Sequence, residues 1–235
     1  KYKGTLDGLA RKAGGPKQLG AAVAAFEQLE ELLGRLISFA GLVYAGDTSD
    51  PKRAKFYGDV QERITAASSH LLFFTLELNR IDDKVLEAAM AEPTLGHYRP
   101  WLEDIRKDKP YELEDRIEQL FHEKSVTGRG AWNRLYDETL AALRFTVDGE
   151  TLTLEPALNL MQHSDENKRR AAAEEIGRVL GENQRVFTLV TNTLAKDKEI
   201  SDRWRGFEDI ADSRHLANRV EREVVEAMVS AVRDA

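Results

Sequence analysis

Apolar residues recur every three or four positions along most of this chain, which is the spacing of one face of an α-helix. The first long series consists of Phe26, Leu29, Leu33, Leu36, Ala40 and Val43. A second series runs from Phe56 to Leu78, after Asp50 as a candidate N-cap and Pro51 at the first helical position. The two series predict long helices that are joined at Gly46-Asp47 and form an antiparallel hairpin.

Shorter series of the same kind continue through the rest of the chain. They predict helices over 82–91, 98–105, 113–121 and 132–143. Two further helices are predicted to begin at Pro156 and after Ser164, which is the candidate N-cap of the second. The last two are predicted to run from beyond Gly181 toward Trp204 and from Val220 to the end. The last series has no stop signal before Ala235. We therefore expect the chain to be a piece of a longer protein.

One segment has the alternation of a strand instead. Leu143, Phe145 and Val147 alternate with polar residues, and Leu152 and Leu154 resume the pattern after Asp148-Gly149. A two-residue Asp-Gly turn is a strong hairpin signal. In this register Phe145 faces Leu152 and Leu143 faces Leu154, so one face is apolar and should pack on helices. The predicted fold class is mainly α, a helical array or bundle with one β-hairpin at about residues 143–154.

Composition excludes several classes of protein. The chain has 235 residues, no cysteine, and 34 Lys plus Arg against 41 Asp plus Glu, which gives a net charge of -7. Thiolate chemistry and cysteine-built metal sites are therefore absent, and the acidic balance argues against a nucleic-acid partner. No apolar run is long enough to cross a membrane, and Lys1–Gly15 lacks a signal-peptide core, so we expect a cytoplasmic protein.

The sequence contains no recognisable catalytic or metal motif. Its five histidines (His70, His97, His122, His163 and His215) are scattered, and none lies three or four residues from another. His122-Glu123 begins like the zinc motif His-Glu-x-x-His, but Val126 occupies the second histidine position. His70, on an apolar helix, is interpreted as a core histidine. We therefore predict no catalytic residue and no metal ligand in this chain.

A basic cluster is the one candidate for binding. It consists of Lys196, Lys198, Arg203, Arg205, Arg214, His215 and Arg219, with Trp204 among them. Such a cluster could hold an anion such as a peptide carboxylate, and Arg203, Arg205 and Arg214 are the candidate substrate-binding residues. Acidic residues at 197, 199 and 202 are interleaved with the cluster, and this pattern favours an ordinary solvated face.

Several longer segments carry a family resemblance. They are HEKSVTGRG (122–130), ALRFTVDGETLTLEPALNL (142–160), NTLAKDKEISDRWRGF (192–207), SRHLANRVE (213–221) and HYRPWLEDIRKDKP (97–110). In order and spacing, these segments resemble the N-terminal half of the oligoendopeptidase F branch of the thimet-oligopeptidase-type zinc metallopeptidases. The resemblance extends over essentially the whole chain.

The resemblance implies a largely helical cytoplasmic zinc peptidase that cleaves oligopeptides inside a deep channel. In that family, zinc is held by His-Glu-x-x-His and a downstream glutamate, and this sequence contains no such motif. The implied domains are 1–205, an N-terminal helical region that forms one wall of the channel, and 206–235, the start of the catalytic domain. Zinc is thus expected in the full-length parent and not in this chain, which should be inactive alone.

A second function fits composition and periodicity equally well. The chain could be a non-enzymatic helical scaffold or peptide-binding module whose grooves accept a partner helix. The two hypotheses differ in the sequence expected beyond Ala235, because only a peptidase parent would encode His-Glu-x-x-His downstream.

Overall fold

A computed structural model describes residues 2–234, and Lys1 and Ala235 lie outside the described residues. The helices are α1 (Leu6–Arg11), α2 (Gly15–Ala45), α3 (Pro51–Ser69), α4 (Leu72–Arg80), α5 (Asp83–Ala89), α6 (Pro93–Gly96), α7 (Arg99–Arg106), α8 (Asp115–Lys124), α9 (Arg129–Ala142), α10 (Leu154–Leu160), α11 (Glu166–Glu182), α12 (Gln184–Arg205), α13 (Asp212–Asn218) and α14 (Arg222–Asp234), with a 3₁₀ turn at Lys109–Tyr111. Within the described residues, the sheet consists of β1 (Phe145–Val147) and β2 (Glu150–Leu152). The mainly α prediction with one hairpin is confirmed. The prediction of helix up to Ala235 can be followed only as far as Asp234.

The chain divides into two compact units. The first comprises Lys1–Leu36, Arg63–Glu123 and Glu199–Ala235, and the second comprises Ile37–Glu62 and Lys124–Lys198. Each unit therefore combines segments that are distant in the sequence.

The first unit folds around an apolar core supplied by α1, the start of α2 and α4 to α7. Its fully buried large side chains are Leu6, Leu19, Val23, Leu78, Ile81, Leu86, Leu95 and Leu102. Asp82 caps α5 by accepting hydrogen bonds from the backbone N–H groups of Lys84 and Val85 at 3.0 and 3.2 Å. Such caps satisfy N–H groups that have no partner inside the helix, and they help these short helices form.

The helix expected to be continuous from Phe56 to Leu78 is interrupted. α3 ends at Ser69 and α4 begins at Leu72, so that prediction is wrong. The hydroxyl of Ser69 donates to the carbonyl of Thr65 at 2.9 Å, a local bond that competes with the helix ladder and bends helices. His70 lies at the interruption with an exposed side chain, so its interpretation as a core histidine is also wrong.

In the second unit, the end of α2 and the start of α3 form the predicted helical hairpin. Asp50 caps α3 by accepting from the backbone N–H of Lys52 at 2.8 Å. Tyr44 stacks on Tyr57 with ring centroids 5.1 Å apart, and Arg53 donates to the carbonyl of Val43 at 3.2 Å. Farther from the turn on both helices, Phe39 meets Phe56 edge to face at 6.4 Å, whereas Val43 meets Arg53 nearer to it, so the two segments are antiparallel.

The β-hairpin is the centre of the second unit's core. Phe145 pairs with Leu152 and Val147 with Glu150, which is the register predicted from the sequence. Asp148 and Gly149 both have positive φ, 52° and 84°, as a type I′ turn requires. Phe145 is 0% exposed and lies in a cluster with Ala157, Ile176 and Val179. The predicted packing of the apolar hairpin face against helices is confirmed.

The elements around the hairpin differ from the prediction in two details. Leu154 does not extend the ribbon opposite Leu143 but begins α10, because the Ala157 N–H bonds to the Thr153 carbonyl at 3.2 Å and starts the helix there. The N-cap of α11 is Asp165, not the predicted Ser164, because the Asp165 carboxylate accepts from the Asn167 N–H at 2.9 Å. Both changes move an element boundary by one or two residues.

Candidate functional site

The fold divides the basic cluster predicted from the sequence. Lys196 and Lys198 belong to the second unit, whereas the residues from 199 onward belong to the first. The four arginines of the cluster all belong to the first unit and fall into two groups. Arg205 and Arg219 are partly buried and paired with acidic side chains, whereas Arg203 and Arg214 are exposed.

Arg205, the last residue of α12, is held by α8 and the turn before it. Its guanidinium donates to both oxygens of Glu118 at 2.7 and 2.8 Å, and to the Tyr111 carbonyl at 3.0 Å. Burial raises the pKa of Glu118, but the hydrogen bonds from Arg205 and from the Leu113 N–H outweigh it and leave that pKa lowered. We call Arg205, Glu118 and Tyr111 the Arg205 anchor.

Arg219 ends α13 in the left-handed conformation, with φ of 53°. Its Nε donates to Asp104 at 2.9 Å, and its two terminal nitrogens donate to the oxygens of Asp108 at 2.8 and 2.9 Å. These hydrogen bonds raise the pKa of Arg219, and the bonds to Asp108 have the largest effect. Bidentate pairs of this kind are stronger and more directional than single contacts. We call Arg219, Asp104 and Asp108 the Arg219 latch.

Aromatic rings pack beside the Arg205 anchor. Tyr111 stacks on Phe207 with centroids 4.1 Å apart and planes 13° from parallel. Phe121 meets Trp204 edge to face at 6.4 Å, and the Arg205 guanidinium lies 5.8 Å from the centre of the Phe121 ring. The apolar part of Arg205 is therefore covered, and its charged end is directed at Glu118.

Two of the three candidate substrate-binding residues are exposed. Arg203 donates to Glu199 at 3.1 Å, one helical turn earlier. Arg214 is exposed on α13, and across residues 2–234 its side chain makes no hydrogen bond or ion pair. Of Arg203, Arg205 and Arg214, Arg214 thus has the charge that is available to a ligand. Contact of any of the three with a peptide stays a prediction.

Asn79 and Glu112 form a buried polar pair that no sequence pattern indicates. Asn79 is 1% exposed, and its amide donates to the Ile105 carbonyl at 3.0 Å and to the Glu112 carboxylate. The Asn79 Oδ1 atom has no hydrogen-bond partner. Burial is the main cause that raises the pKa of Glu112. Asn79 follows directly after an apolar run, and nothing in the local pattern marks it as buried.

His122, from the incomplete zinc motif, is held by α3. Its Nε2 lies 2.8 Å from the Ser68 hydroxyl and 3.3 Å from the Thr65 carbonyl. The Ser68 hydroxyl also donates to the Ile64 carbonyl at 2.9 Å. The contact between His122 and Ser68 joins α8 to α3.

The described residues do not fit a zinc site. Across residues 2–234, no group of three or more His, Asp or Glu side chains is placed to hold a metal ion. The described helices also include none that combines the length and apolar character needed to cross a bilayer.

Comparisons with known proteins agree with the motif resemblance. The family model described as Oligopeptidase F matches residues 77–145. The structure of oligoendopeptidase-F from Enterococcus faecium matches 99% of this chain with a TM-score of 0.83 and 19% identity. A candidate peptidase from Chlamydophila abortus matches 93% of this chain with a TM-score of 0.61 and 15% identity. No curated protein matches the sequence.

These matches confirm the predicted resemblance, in sequence over residues 77–145 and in fold over nearly the whole chain. This chain spans 45% of the length of the Enterococcus protein and 38% of that of the Chlamydophila protein. Its fold is therefore that of a part of each of these larger proteins.

Proposed function

We propose that this chain is the N-terminal helical region of a longer, oligoendopeptidase F-like zinc metallopeptidase that hydrolyses short peptides in the cytoplasm. The observation that carries the proposal is the fold match over 99% of this chain and 45% of oligoendopeptidase-F. The family match over residues 77–145 supports it independently, because it rests on sequence.

In this proposal the chain contributes shape to the peptidase and no chemistry. It forms one wall of a channel that admits oligopeptides and excludes folded proteins, and zinc and the catalytic groups belong to the rest of the longer protein. Residues 1–205 form the wall, and residues 206–235 begin the catalytic domain. α12 ends at Arg205, and Gly206 has a positive φ of 78°, so the chain turns at this position.

The proposed ligand of the basic cluster is the carboxylate of a peptide. Arg214 is the strongest candidate, because its guanidinium is exposed and unpaired in the described structure. Arg203 could join it by exchanging its exposed partner Glu199. Arg205 would first have to give up both bonds to Glu118, so its expected role in binding is the smallest of the three.

Quenched fluorescent oligopeptides test the proposal on two proteins, this chain alone and a chain continued through a downstream His-Glu-x-x-His. The longer protein should cleave short peptides, lose activity with a chelator and leave folded proteins intact. This chain alone should show no turnover and, by elemental analysis, no stoichiometric zinc. In the longer protein, Arg214→Gln should raise KM for peptides while stability is unchanged.

Two results would count against the proposal. Chelator-sensitive turnover by this chain alone would reveal an active site within it. A gene without a downstream His-Glu-x-x-His, or a zinc-loaded longer protein inert across a broad peptide library, would favour the non-enzymatic scaffold.

A further inference from the structure

In the second unit, α3 and α9 approach each other at two glycines. A Cβ atom at Gly58 would lie 2.8 Å from the Nη1 atom of Arg134. A Cβ atom at Gly130 would lie 3.3 Å from the Nε2 atom of Gln61. The later residue of α3 contacts the earlier residue of α9, so the two helices run antiparallel. A glycine inside a helix is unfavourable relative to alanine, and at Gly58 the space that it leaves is occupied by the Arg134 guanidinium.

The guanidinium of Arg134 has no acceptor within the described residues. Arg134 is partly buried, and across residues 2–234 its side chain makes no hydrogen bond or ion pair. Asp137 and Glu138 follow one turn later on α9, at the spacing where helical ion pairs form, but they are exposed and not paired with it. The guanidinium extends across to α3 instead. A cation that is partly withdrawn from water without an acceptor is unfavourable, so this arrangement does not serve stability.

The hydroxyl of Tyr44 is a second donor without an acceptor near the same contact. Tyr44 is 6% exposed and stacks on Tyr57 of α3 with ring centroids 5.1 Å apart. Its hydroxyl oxygen is buried and has no hydrogen-bond partner in the described part of the chain. Burial, followed by the charges of Glu138 and Asp137, raises its pKa. The charge of Arg134 acts in the opposite direction, so the hydroxyl lies near all three charged side chains and stays protonated as a donor.

The two donors define the chemistry of a ligand. A guanidinium binds a carboxylate or a phosphate with two parallel hydrogen bonds, and a protonated tyrosine donates to the same oxygen atoms. The nearby carboxylates of Asp137 and Glu138 oppose an anion. They oppose a phosphate group, with about two negative charges at pH 7, more strongly than a carboxylate with one. The donors together with their surroundings therefore fit a carboxylate best.

We propose that Arg134 and Tyr44 form a carboxylate-binding site, in which Gly58 leaves the space that positions the guanidinium. Arg134 is the partly exposed member, so the carboxylate binds it first, and the buried Tyr44 hydroxyl donates when a ligand oxygen enters beside the guanidinium. The carboxylate comes from the C-terminus of a peptide or from an acidic side chain in the rest of the longer protein. The choice between these sources rests on the proposed function, whereas the binding itself is a property of this chain.

Nuclear magnetic resonance titration of this chain with two short peptides tests the site. The peptides share one uncharged sequence, and one ends in a free carboxylate while the other ends in an amide. The free carboxylate should bind at least about tenfold more tightly, because it gains hydrogen bonds to a charged donor. In Arg134→Gln the two peptides should bind equally. Arg185→Gln, at an exposed arginine of the same unit, is the matched control and should keep the preference.

Two further variants separate binding from stability. Gly58→Ala improves the helix and displaces the flexible end of Arg134, so it should weaken carboxylate binding about tenfold while the melting temperature stays equal or rises. Tyr44→Phe removes a buried hydroxyl that has no partner, so it should also weaken binding without loss of stability. Asp137→Asn removes an opposing charge and should strengthen binding. A purely structural role for these side chains would change stability and leave the preference between the peptides intact.

The longer protein distinguishes the two sources of the carboxylate. If a peptide supplies it, the longer protein keeps the preference, and Arg134→Gln raises KM for the free peptide and not for the amide. If an acidic side chain of the longer protein supplies it, this chain alone shows the preference and the longer protein does not. In that case Arg134→Gln lowers the melting temperature of the longer protein.

Two results would overturn the proposal. One is equal binding, or no binding, of both peptides by this folded chain at millimolar concentration. The other is an unchanged preference in Arg134→Gln or, if that variant does not fold, in Gly58→Ala. Neither measurement involves zinc or turnover, so failure of this site leaves the peptidase proposal standing.

Discussion

The β-hairpin of the second unit and residues 206–234 of the first unit are held in place by different forces. The hairpin buries Phe145 completely among Ala157, Ile176 and Val179. Residues 206–234 contact residues 104–111 of the same unit through Arg219, with its two aspartates, and through the stack of Phe207 on Tyr111. Apolar burial resists salt and mild acid, whereas partly exposed ion pairs do not. The two segments should therefore respond differently to the same conditions.

The largest expected effect comes from truncating Phe145, the fully buried ring of the hairpin. Phe145→Ala should reduce the free energy of unfolding by about 3–5 kcal/mol, since it removes a large buried ring and leaves a cavity. Chemical denaturation measures the loss. Phe39→Ala, at a ring that is 62% exposed in the same unit, is the control and should change stability by less than about 1 kcal/mol. Similar losses for both variants would contradict the buried hairpin face.

Removal of the Arg205 anchor should have a smaller effect. Arg205→Gln leaves the partly buried Glu118 without its bidentate partner, which should cost about 1–3 kcal/mol of unfolding free energy. Arg203→Gln breaks an exposed pair with Glu199 and should cost less than about 0.5 kcal/mol. Denaturation of both variants gives the comparison. Equal free energies of unfolding for the two variants would show that Arg205 contributes no more to stability than an exposed charge.

Glu112→Gln should stabilise the first unit at neutral pH. Burial raises the pKa of Glu112, so its charged form costs stability above that pKa, and the cost disappears as the carboxyl is protonated. Glutamine removes the charge and keeps an oxygen that can accept from Asn79. At pH 7 we expect the free energy of unfolding of the variant to exceed that of the unaltered chain by less than about 1 kcal/mol. This difference should shrink to nothing as the pH falls toward 4.5, the ordinary pKa of a glutamate.

Denaturation of Glu112→Gln and of the unaltered chain over this pH range measures the difference. Glu114→Gln, at an exposed neighbour, is the control and should show no such trend. A loss of stability at pH 7 in Glu112→Gln would mean that its charge is favourable in the fold.

The smallest effect is expected at Glu175, whose carboxylate accepts hydrogen bonds from Arg178 and from the Thr146 N–H of the hairpin. Hydrogen bonds from Arg178 and from the Thr146 N–H lower the pKa of Glu175 to about 2 from an ordinary 4.5. A carboxylate with a lowered pKa contributes stability above its unfolded value and loses that contribution as pH falls through the folded one.

The Thr146 amide signal in NMR spectra should therefore titrate with a midpoint near pH 2. The hairpin should stay folded through this titration, because its apolar face does not ionise. Glu175→Gln should abolish the titration, and Glu174→Gln, at the adjacent exposed position, should leave it intact. A Thr146 midpoint near 4.5, the ordinary glutamate value, would show that the contact does not form in solution.

Much of the local structure was predictable from the sequence, because its signals are local. The Asp148-Gly149 turn and the alternation around it specified the pairing of Phe145 with Leu152, since side-chain direction in a strand has a period of two. The predictions failed where neighbouring signals compete, as at Ser69, whose hydroxyl bonds back to Thr65 and favours a break within an apolar run.

The candidate site shows the limit of such signals. The sequence indicated a basic cluster and the ordinary charge pairing within it, but it could not say which arginine is paired. Arg205 meets Glu118 across 87 positions, and Arg219 meets Asp104 and Asp108 across 115 and 111. Asn79 and Glu112, 33 positions apart, likewise form a buried pair only because α4 and the segment after α7 come together. Helix periodicity and turn chemistry act between neighbours in the chain, whereas burial and charge pairing depend on which distant segments the folded core brings into contact.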